Sequence, residues 1–503
     1  MSTIFIGKDT DGVSQQLLLN RANRHGLIAG ATGTGKTVTL QILTEGFAAA
    51  GVPVFAADVK GDLSGLSQAG SVDNKLHDKL IARAEKIGLT DYNYNNTDVT
   101  FWDLFGEKGH PVRTTIAEMG PMLLSRLMDL TAAQEGIMNI AFDIAEDNKW
   151  PLLNLKDLRS TLIFISENRK DLSLEYGNIT SPSVNTIIRE LLVLEREGAD
   201  EFFGEPALEL KDLIRTKNGK GMVNILAADS LINSPRLYTT FLLWLMSELF
   251  EELPEVGDPD KPVMAFFFDE AHLLFDDAPK ALVQKITQVA RLIRSKGVSV
   301  WFVTQNPADI PDDVLGQVGN RIQHALRGYT PKEQKAIKAS AQSFRPNPKF
   351  DTVEIISELG VGEALVSVLD AKGRPQVVGQ TLIRPPASRL GPATDTERAN
   401  ILAASDMGGK YDDILDRKSA EEILAEKRDL IETSQKEAAE KAEAEALAAK
   451  EAKKNAAKKK TSRRGNKTIA DRVKYEAKLM GRQLIRQRAR KILRGVLGSV
   501  LRR

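Results

Sequence analysis

A glycine-rich stretch that ends in lysine and threonine is the part of the sequence best suited to bind phosphate. Residues 30–37 read Gly-Ala-Thr-Gly-Thr-Gly-Lys-Thr and match the pattern G-x-x-x-x-G-K-[ST]. Glycine adopts positive φ angles at no steric cost, so successive backbone N–H groups in such a loop can point toward an anion. Lys36 is then expected to contact the β- and γ-phosphates of a nucleotide, and the Thr37 hydroxyl to bind the Mg²⁺ between them.

The residues around this loop predict the strand, loop and helix that the motif requires. Residues 27–29 are apolar and typical of a buried strand, and apolar residues recur at helical spacing after Thr37. A glycine-rich turn that matches the motif by chance would not explain this context. With ATP and Mg²⁺ as the expected ligands, the predicted nucleotide-binding residues are Gly30, Ala31, Thr32, Gly33, Thr34, Gly35, Lys36, Thr37 and Val38.

A second stretch places two carboxylates at the end of an apolar run. Residues 262–268 predict a central parallel strand buried on both faces, and Asp269 and Glu270 follow at its carboxyl end. Two adjacent acids in that position are costly without a cation. We therefore predict that Asp269 binds Mg²⁺ through its water shell and that Glu270 acts as general base on the attacking water. His272 is interpreted as an ordinary packed or capping residue.

Two other predicted core strands also end in polar residues. Residues 298–304 lead to Gln305, whose amide is placed to contact both a γ-phosphate and the attacking water; capping of the following turn is the alternative. Residues 53–58 lead into a loop that contains Asp58 and Asp62. Those two acids are interpreted either as groups that support the site or face nucleic acid, or as residues that shape a turn rich in Gly and Asp.

Composition excludes several functional classes. The 503 residues include no cysteine, so disulfides, zinc–thiolate clusters and thiol chemistry are excluded. The amino terminus lacks the pattern of a signal peptide, and no stretch approaches the roughly 18 apolar residues of a membrane span. We therefore expect a cytoplasmic protein.

The carboxyl-terminal tail differs in charge from the rest of the chain. Residues 452–503 contain 19 Lys or Arg and two acidic residues, which leaves 50 basic and 66 acidic residues before them. Residues 419–460 are rich in Ala, Glu and Lys and predict a solvated helix, and residues 486–501 predict a basic amphipathic helix. Binding to a phosphate backbone, contact with an anionic membrane surface and packing against another subunit are three alternatives for this tail. A solvated tail without a specific role is the fourth.

The whole pattern predicts an α/β fold in five parts. An amino-terminal part of an ATPase core carries the phosphate loop, a mostly helical insertion adds a few core strands, and a carboxyl-terminal part of the core carries the Asp-Glu and Gln strands. A linker and the helical basic tail follow. The predicted bounds of the five parts are 1–61, 62–260, 261–385, 386–418 and 419–503.

With these motifs in place, the sequence resembles the HerA/FtsK branch of P-loop ATPases and is most similar to bacterial HerA-like proteins. The resemblance extends over about residues 20 to 330 and is carried by the phosphate loop, 58–62, 266–272, 289–298, 304–307 and 320–321. It implies a RecA-like core with a mainly parallel sheet and a ring of identical subunits, usually a hexamer. It also implies that the ring uses ATP to move double-stranded DNA through its pore, and the basic tail is then a further DNA contact. A P-loop ATPase that switches protein assembly without moving nucleic acid is the alternative.

The resemblance also implies roles for individual residues. Lys36, Thr37, Asp269, Glu270 and Gln305 are expected to carry the nucleotide chemistry, and one arginine is expected to reach across a subunit boundary into the neighbouring site. Each candidate arginine can also be an ordinary solvated or ion-paired residue. The candidates are Arg24, Arg291, Arg294 and Arg321.

Overall fold

The fold is α/β, as the sequence predicts. The computed structural model describes residues 2–275 and 280–460. The predicted amphipathic helix at 486–501, and with it most of the basic tail, lies outside the described residues. The strands are β1 (Thr3–Asp9), β2 (Ser14–Leu18), β3 (Gly26–Ala29), β4 (Val54–Asp58), β5 (Val99–Asp103), β6 (His110–Pro111), β7 (Thr216–Lys217), β8 (Lys220–Gly221), β9 (Val223–Ala227), β10 (Met264–Phe268), β11 (Val298–Thr304), β12 (Asn320–Gln323), β13 (Glu363–Ser367) and β14 (Gly379–Ile383).

Twelve of these strands form one sheet in the order β2-β1-β14-β13-β12-β3-β11-β10-β4-β9-β5-β6, and β7 pairs with β8 separately. The eight strands from β12 to β6 are mutually parallel, whereas β2, β1, β14 and β13 are joined by antiparallel pairs. The carboxyl ends of β3, β11, β10 and β4 therefore lie side by side at one edge of the sheet, which is where open parallel sheets bind ligands.

Helices fill most of the region predicted as a helical insertion, and further helices follow it. The helix that comes before β10 is α10, and most of its residues are buried. The helices are α1 (Leu19–Ala22), α2 (Lys36–Ala49), α3 (His77–Lys86), α4 (Ile116–Leu127), α5 (Ala132–Asp147), α6 (Leu155–Tyr176), α7 (Ser181–Arg196), α8 (Ala199–Phe202), α9 (Leu210–Leu213), α10 (Pro235–Glu252), α11 (Lys280–Leu292), α12 (Asp312–Leu315), α13 (Pro331–Gln342), α14 (Thr352–Glu358), α15 (Asp395–Ala403) and α16 (Ala420–Lys460).

The sheet core is built from apolar residues that the parallel strands bury on both faces. Every residue of β10 is buried, as expected of a strand with neighbours on both sides. Phe267 of β10 lies with its ring centroid 5.9 Å from that of Trp301 in β11 and 6.1 Å from that of Phe47 in α2. Gly26 at the start of β3 leaves room for Trp301, because a Cβ there would lie 2.1 Å from the indole ring. This aromatic contact fixes α2, and so the phosphate loop before it, against the centre of the sheet.

The chain forms two compact units. Among the described residues, the first contains those up to 142 and those from 152 to 417, and the second contains residues 143–151 and those from 418 to 460. In the second unit, the Ala420 N–H donates to the Pro151 carbonyl at the start of α16. In the first, the segment predicted as a linker contains α15 and buries Tyr411 completely. The five predicted domain bounds stay predictions.

Candidate nucleotide-binding and hydrolysis site

The phosphate loop joins β3 to α2, as predicted. Gly33 and Gly35 have φ angles of 77° and 115°, in the region that favours glycine, and Gly35 is the residue from which α2 begins. Lys36 and Thr37 occupy the first turn of α2, and Val38 follows them with its side chain partly buried against the sheet core. The amino end of this helix, with its unpaired N–H groups, therefore faces the same loop.

Hydrogen bonds from three neighbouring segments hold the loop backbone. The N–H of Gly30 donates to the carbonyl of Thr304 (3.2 Å), and the N–H of Ala31 donates to that of Ala325 (2.8 Å). From the third segment, the N–H of Gly362 donates to the Thr34 carbonyl (3.0 Å). The loop is therefore fixed by the end of β11, the segment after β12 and the turn before β13.

A buried histidine lies directly beneath the loop. His324 is fully buried, with Nδ1 2.9 Å from the Glu363 carbonyl and Nε2 2.8 Å from the Thr39 hydroxyl. Because a carbonyl only accepts, Nδ1 carries the proton and Nε2 accepts from Thr39. A Cβ at Gly30 would lie 2.5 Å from the His324 Cβ, so the glycine is required for this close approach. His324 was not among the site residues predicted from the sequence.

Lys36 is folded back onto the loop. Its Nζ donates to the carbonyls of Gly30 (2.6 Å) and Ala31 (3.1 Å), and its side chain is buried. Burial lowers the pKa of Lys36 below its ordinary value. Phosphate oxygens would compete with these two carbonyls for the three N–H donors of the ammonium group.

Glu270 is the centre of a network of polar contacts at the sheet edge. It follows β10 with a φ of 48°, which turns the chain sharply after the strand, and it is almost completely buried. Its carboxylate forms an ion pair with Lys60, from the loop after β4, and His272 Nδ1 lies 3.3 Å from Oε2. Burial acts to raise the pKa of Glu270, but the hydrogen bond and charge of Lys60 outweigh it and lower that pKa below its ordinary value.

Gln305 connects Glu270 to the phosphate loop. Its Nε2 donates to the two carboxylate oxygens of Glu270 at 3.2 and 3.4 Å, and its Oε1 accepts from the Thr32 hydroxyl at 3.2 Å. The structure therefore brings together the phosphate loop, the predicted general base Glu270 and the predicted Gln305 amide. Sequence reasoning missed Lys60, although it lies in the stretch 58–62 that carries the family resemblance.

Two buried carboxylates lie at the ends of the neighbouring strands β4 and β10, and burial disfavours the charged form of each. Burial and the charge of Glu270 raise the pKa of Asp269 to about 6. Burial and the charge of Asp269 raise the pKa of Asp58 to about 7. Asp58 Oδ2 accepts from the N–H of Leu63 at 3.0 Å, so Asp58 shapes the turn after β4, which was one of its two predicted roles. Asp62 starts the short 3₁₀ helix of that turn.

The candidate arginines lie elsewhere. Arg24 precedes β3 and Arg294 precedes β11, so both lie at the amino-terminal edge of the parallel strands, away from the phosphate loop. Both contact Asp258, at 2.9 Å and 3.4 Å. Arg291 is exposed in the last turn of α11, and Arg321 is half-buried and donates to the Leu315 carbonyl. Within one chain, the structure does not bring these four arginines to Glu270.

The described helices include none that is both long and apolar enough to cross a membrane.

Several known proteins are similar to this chain. The DNA double-strand break repair helicase HerA of Saccharolobus solfataricus is 23% identical over 367 residues, which are 72% of this chain and 64% of that relative. The protein of the same name from Sulfolobus acidocaldarius is 21% identical over 387 residues, which are 73% of this chain and 68% of the relative. The chain thus spans about two thirds of the length of these relatives.

Among solved structures, VirB4 of Thermoanaerobacter pseudethanolicus aligns with a TM-score of 0.48 and 15% identity, over 79% of this chain and 98% of that one. Plasmid coupling protein TrwB in complex with ADP and Mg²⁺ aligns with a TM-score of 0.45 and 15% identity, over 74% of this chain and 90% of that one. The family model described as helicase HerA-like C-terminal matches residues 3–503, which confirms the resemblance found in the sequence. The chain therefore belongs to the helicase HerA-like C-terminal family.

Proposed function

We propose that this protein is an ATP-hydrolysing motor of the HerA/FtsK type that moves double-stranded DNA. The observation that carries this proposal is the continuous set of hydrogen bonds from Thr32 in the phosphate loop through Gln305 to Glu270. A phosphate loop alone only binds nucleotide. A buried carboxylate linked to it by a side-chain amide is the arrangement needed to activate and orient a water molecule for attack on the γ-phosphate.

Each predicted residue has a role in this reaction. The loop from Gly30 to Val38 surrounds the phosphates, and its N–H groups from Gly33 onward bind them, because the Gly30 and Ala31 N–H groups already donate to Thr304 and Ala325. Lys36 turns from its carbonyl partners to neutralise the β- and γ-oxygens. Gln305 holds the attacking water against Glu270, which accepts its proton. Lys60 keeps the Glu270 carboxylate charged, as a proton acceptor has to be.

The residues present fit Mg²⁺. Thr37 and Asp269 offer the hard oxygen ligands that this ion prefers, and the raised pKa of Asp269 shows a buried carboxylate that a cation would stabilise. Within residues 2–275 and 280–460 there is no group of three or more acidic or histidine side chains arranged to hold a metal alone. This agrees with an ion that arrives bound to the nucleotide phosphates. When bound, Mg²⁺ would neutralise charge on the β- and γ-phosphates.

A ring of subunits explains the position of the arginines. Arg24, Arg294 and Arg21 surround Asp258 at the edge of the sheet opposite the phosphate loop. If neighbouring subunits stack edge to edge, this arginine cluster faces the next subunit's nucleotide. A trans-acting arginine can raise the hydrolysis rate by roughly 10³-fold or more. We propose a homo-oligomer, most simply a hexamer, whose turnover requires assembly and in which Arg24 is the first candidate.

Double-stranded DNA is the proposed substrate, bound in the pore of the ring and by the basic tail at residues 452–503. We propose that the protein acts in the cytoplasm. There are two alternatives: peripheral membrane contact of the tail, and an assembly switch without DNA movement. Measurements of ATPase rate and of tail binding distinguish them from a DNA motor.

The test is the ATPase rate of the full chain with and without double-stranded DNA, single-stranded DNA and RNA. The variants are Glu270→Gln, Arg24→Ala and a truncation before residue 452, and Glu437→Gln on the exposed face of α16 is the matched control. We expect stimulation by double-stranded DNA, a loss of at least 100-fold for Glu270→Gln, and wild-type behaviour for the control. The truncation should weaken stimulation and reduce its salt dependence.

Three results would contradict different parts of the proposal. Turnover that depends on Glu270 but responds to no polymer would reject the motor and favour the assembly switch. If Arg24→Ala subunits mixed with Glu270→Gln subunits recover no activity while each variant still assembles, Arg24 does not act in trans. If liposomes rather than DNA bind the tail, the tail is a membrane contact.

A further inference from the structure

The position of the hydrolytic residues fixes the direction in which a bound nucleotide must lie. Lys60, Glu270 and Gln305 follow β4, β10 and β11, all on one side of the phosphate-loop strand β3. The γ-phosphate has to point to that side if the proposed function is correct. The sugar and base at the other end of the triphosphate must then extend to the opposite side of β3, where β12 and β13 lie.

A tight turn between α14 and β13 lies at that side and contacts the phosphate loop. The Gly362 N–H donates to the Thr34 carbonyl at 3.0 Å. A Cβ added at Gly35 would lie 3.3 Å from the Gly362 Cα, so the two backbones are close-packed. Gly362 itself has a φ of 74°, which a residue with a side chain rarely adopts. The turn is therefore a fixed extension of the phosphate loop.

This turn presents an apolar side chain next to a held guanidinium. The Val361 side chain is 73% exposed, although it is apolar and lies beside a polar site. Arg83 of α3 donates to the carbonyls of Gly362 (2.7 Å) and Val361 (3.3 Å). Two hydrogen bonds fix the guanidinium against the turn, and the Arg83 side chain remains partly exposed. A planar cation and an apolar group fixed side by side form a surface suited to the face of an aromatic ring.

We propose that Val361 and Arg83 form the surface that binds the purine base of the nucleotide. This inference rests on the proposed function for the direction of the triphosphate, and it adds the residues that read the nucleoside. Tyr329, after β12, is the competing surface, since it is 85% exposed and aromatic. Its backbone N–H, however, donates to Glu333 in the first turn of α13, whereas the Val361 turn is hydrogen-bonded to the phosphate loop itself.

The test compares a nucleotide with a bare triphosphate, which lacks the sugar and the base. Dissociation constants for the Mg²⁺ complexes of a non-hydrolysable ATP analogue and of inorganic triphosphate are measured by titration calorimetry on the full chain. The variants are Val361→Ser, Arg83→Met and Tyr329→Ala. Val72→Ser, at a valine that is 66% exposed, is the matched control. We expect Val361→Ser and Arg83→Met to raise the dissociation constant of the analogue at least fivefold. The dissociation constant of inorganic triphosphate should stay within twofold of the wild-type value, and the control should change neither constant.

Each other outcome is decisive. Wild-type affinities for both ligands in Val361→Ser and Arg83→Met would overturn the base site, as would a selective loss of the analogue in Tyr329→Ala alone. Equal weakening of both ligands would show that the turn only supports the phosphate loop. If the wild-type chain binds neither ligand, the nucleotide site itself fails, and the failure belongs to the proposed function.

Discussion

Lowering the pH should destabilise the phosphate loop, because His324 beneath it becomes protonated. This imidazole is buried as the neutral form, accepts from the Thr39 hydroxyl and donates to the Glu363 carbonyl. A proton on Nε2 would remove its ability to accept and would place a charge under the loop, close to Lys36. We therefore expect the folded protein to resist protonation of His324 and to lose stability and nucleotide affinity once protonation occurs.

The size of the effect follows from the shift in pKa. Burial lowers the pKa of His324 from 6.5 to about 4. Between those values the unfolded chain binds a proton that the folded chain does not. The stability contributed by neutral His324 is thus fully present above pH 6.5 and is lost as the pH falls toward 4. One such group changes the free energy of unfolding by about 1.4 kcal/mol per pH unit, so the whole window corresponds to roughly 3 kcal/mol.

The assay is urea unfolding of wild type and His324→Gln at pH 7.5, 6.5, 5.5 and 4.5. Near neutrality the variant should be less stable by about 1–3 kcal/mol, because one of the two partners of His324 loses its hydrogen bond. The difference in the free energy of unfolding should shrink as the pH falls and vanish or reverse near pH 4.5, because only the wild type contains His324. The other titratable groups are common to both proteins and cancel. Two parallel stability curves would refute the reasoning.

His25 supplies the matched control. It is also buried with its pKa lowered to about 4 by burial, but it lies before β3, where Nε2 donates to the Ala290 carbonyl. His25→Asn suits its φ of 57°, because asparagine tolerates the left-handed region. This variant should show the same convergence of stability with falling pH and unchanged nucleotide affinity at pH 7.5, whereas His324→Gln should bind nucleotide more weakly.

Three other predictions concern the site and its support. Lys60→Met leaves the buried Glu270 carboxylate without its cation and so adds one net negative charge at the site, which should weaken Mg-ATP about tenfold or more in a binding titration; tighter binding would contradict this. Gly26→Ala forces a Cβ into the Trp301 ring and should cost about 3 kcal/mol in urea unfolding, whereas Gly136→Ala, in α5 with open space, should gain up to about 1 kcal/mol. Phe267→Ala should cost about 3–5 kcal/mol, because its ring is completely buried; a cost under 1 kcal/mol would show that the core collapses around the gap.

The sequence predicted those parts of the fold that short-range patterns determine. Apolar runs predicted β3, β10 and β11, which are buried along their whole length, because only a strand in the middle of a parallel sheet hides both faces. The phosphate loop, Glu270 and Gln305 were predicted because each follows such a strand, and parallel strands bring their carboxyl ends to one edge. The roles of these residues in hydrolysis stay predictions.

Contacts between distant segments were not predicted. Lys60 lies 210 positions before Glu270 in the sequence, and its loop gave no local signal that it forms an ion pair. His324 follows directly after Gln323, the last residue of β12, where the chain turns toward the phosphate loop. The local sequence does not distinguish a histidine that supports a site from any other histidine just past the end of a strand. Its role became visible only once the pairing of β12 with β3 placed it under the loop.

The same strand order explains why the arginines could not be assigned from one chain. Because β3, β10 and β11 are parallel, residues that precede them gather at one edge and residues that follow them gather at the other. Arg24, Asp258 and Arg294 precede these strands, and the hydrolytic residues follow them. The four or five residues of β3 and β10 separate the two edges by about 13–17 Å, which no arginine side chain spans. An arginine from the Asp258 cluster could therefore contact a γ-phosphate only in another subunit, and in the proposed ring Asp258 would hold two of the candidates in place before that subunit binds.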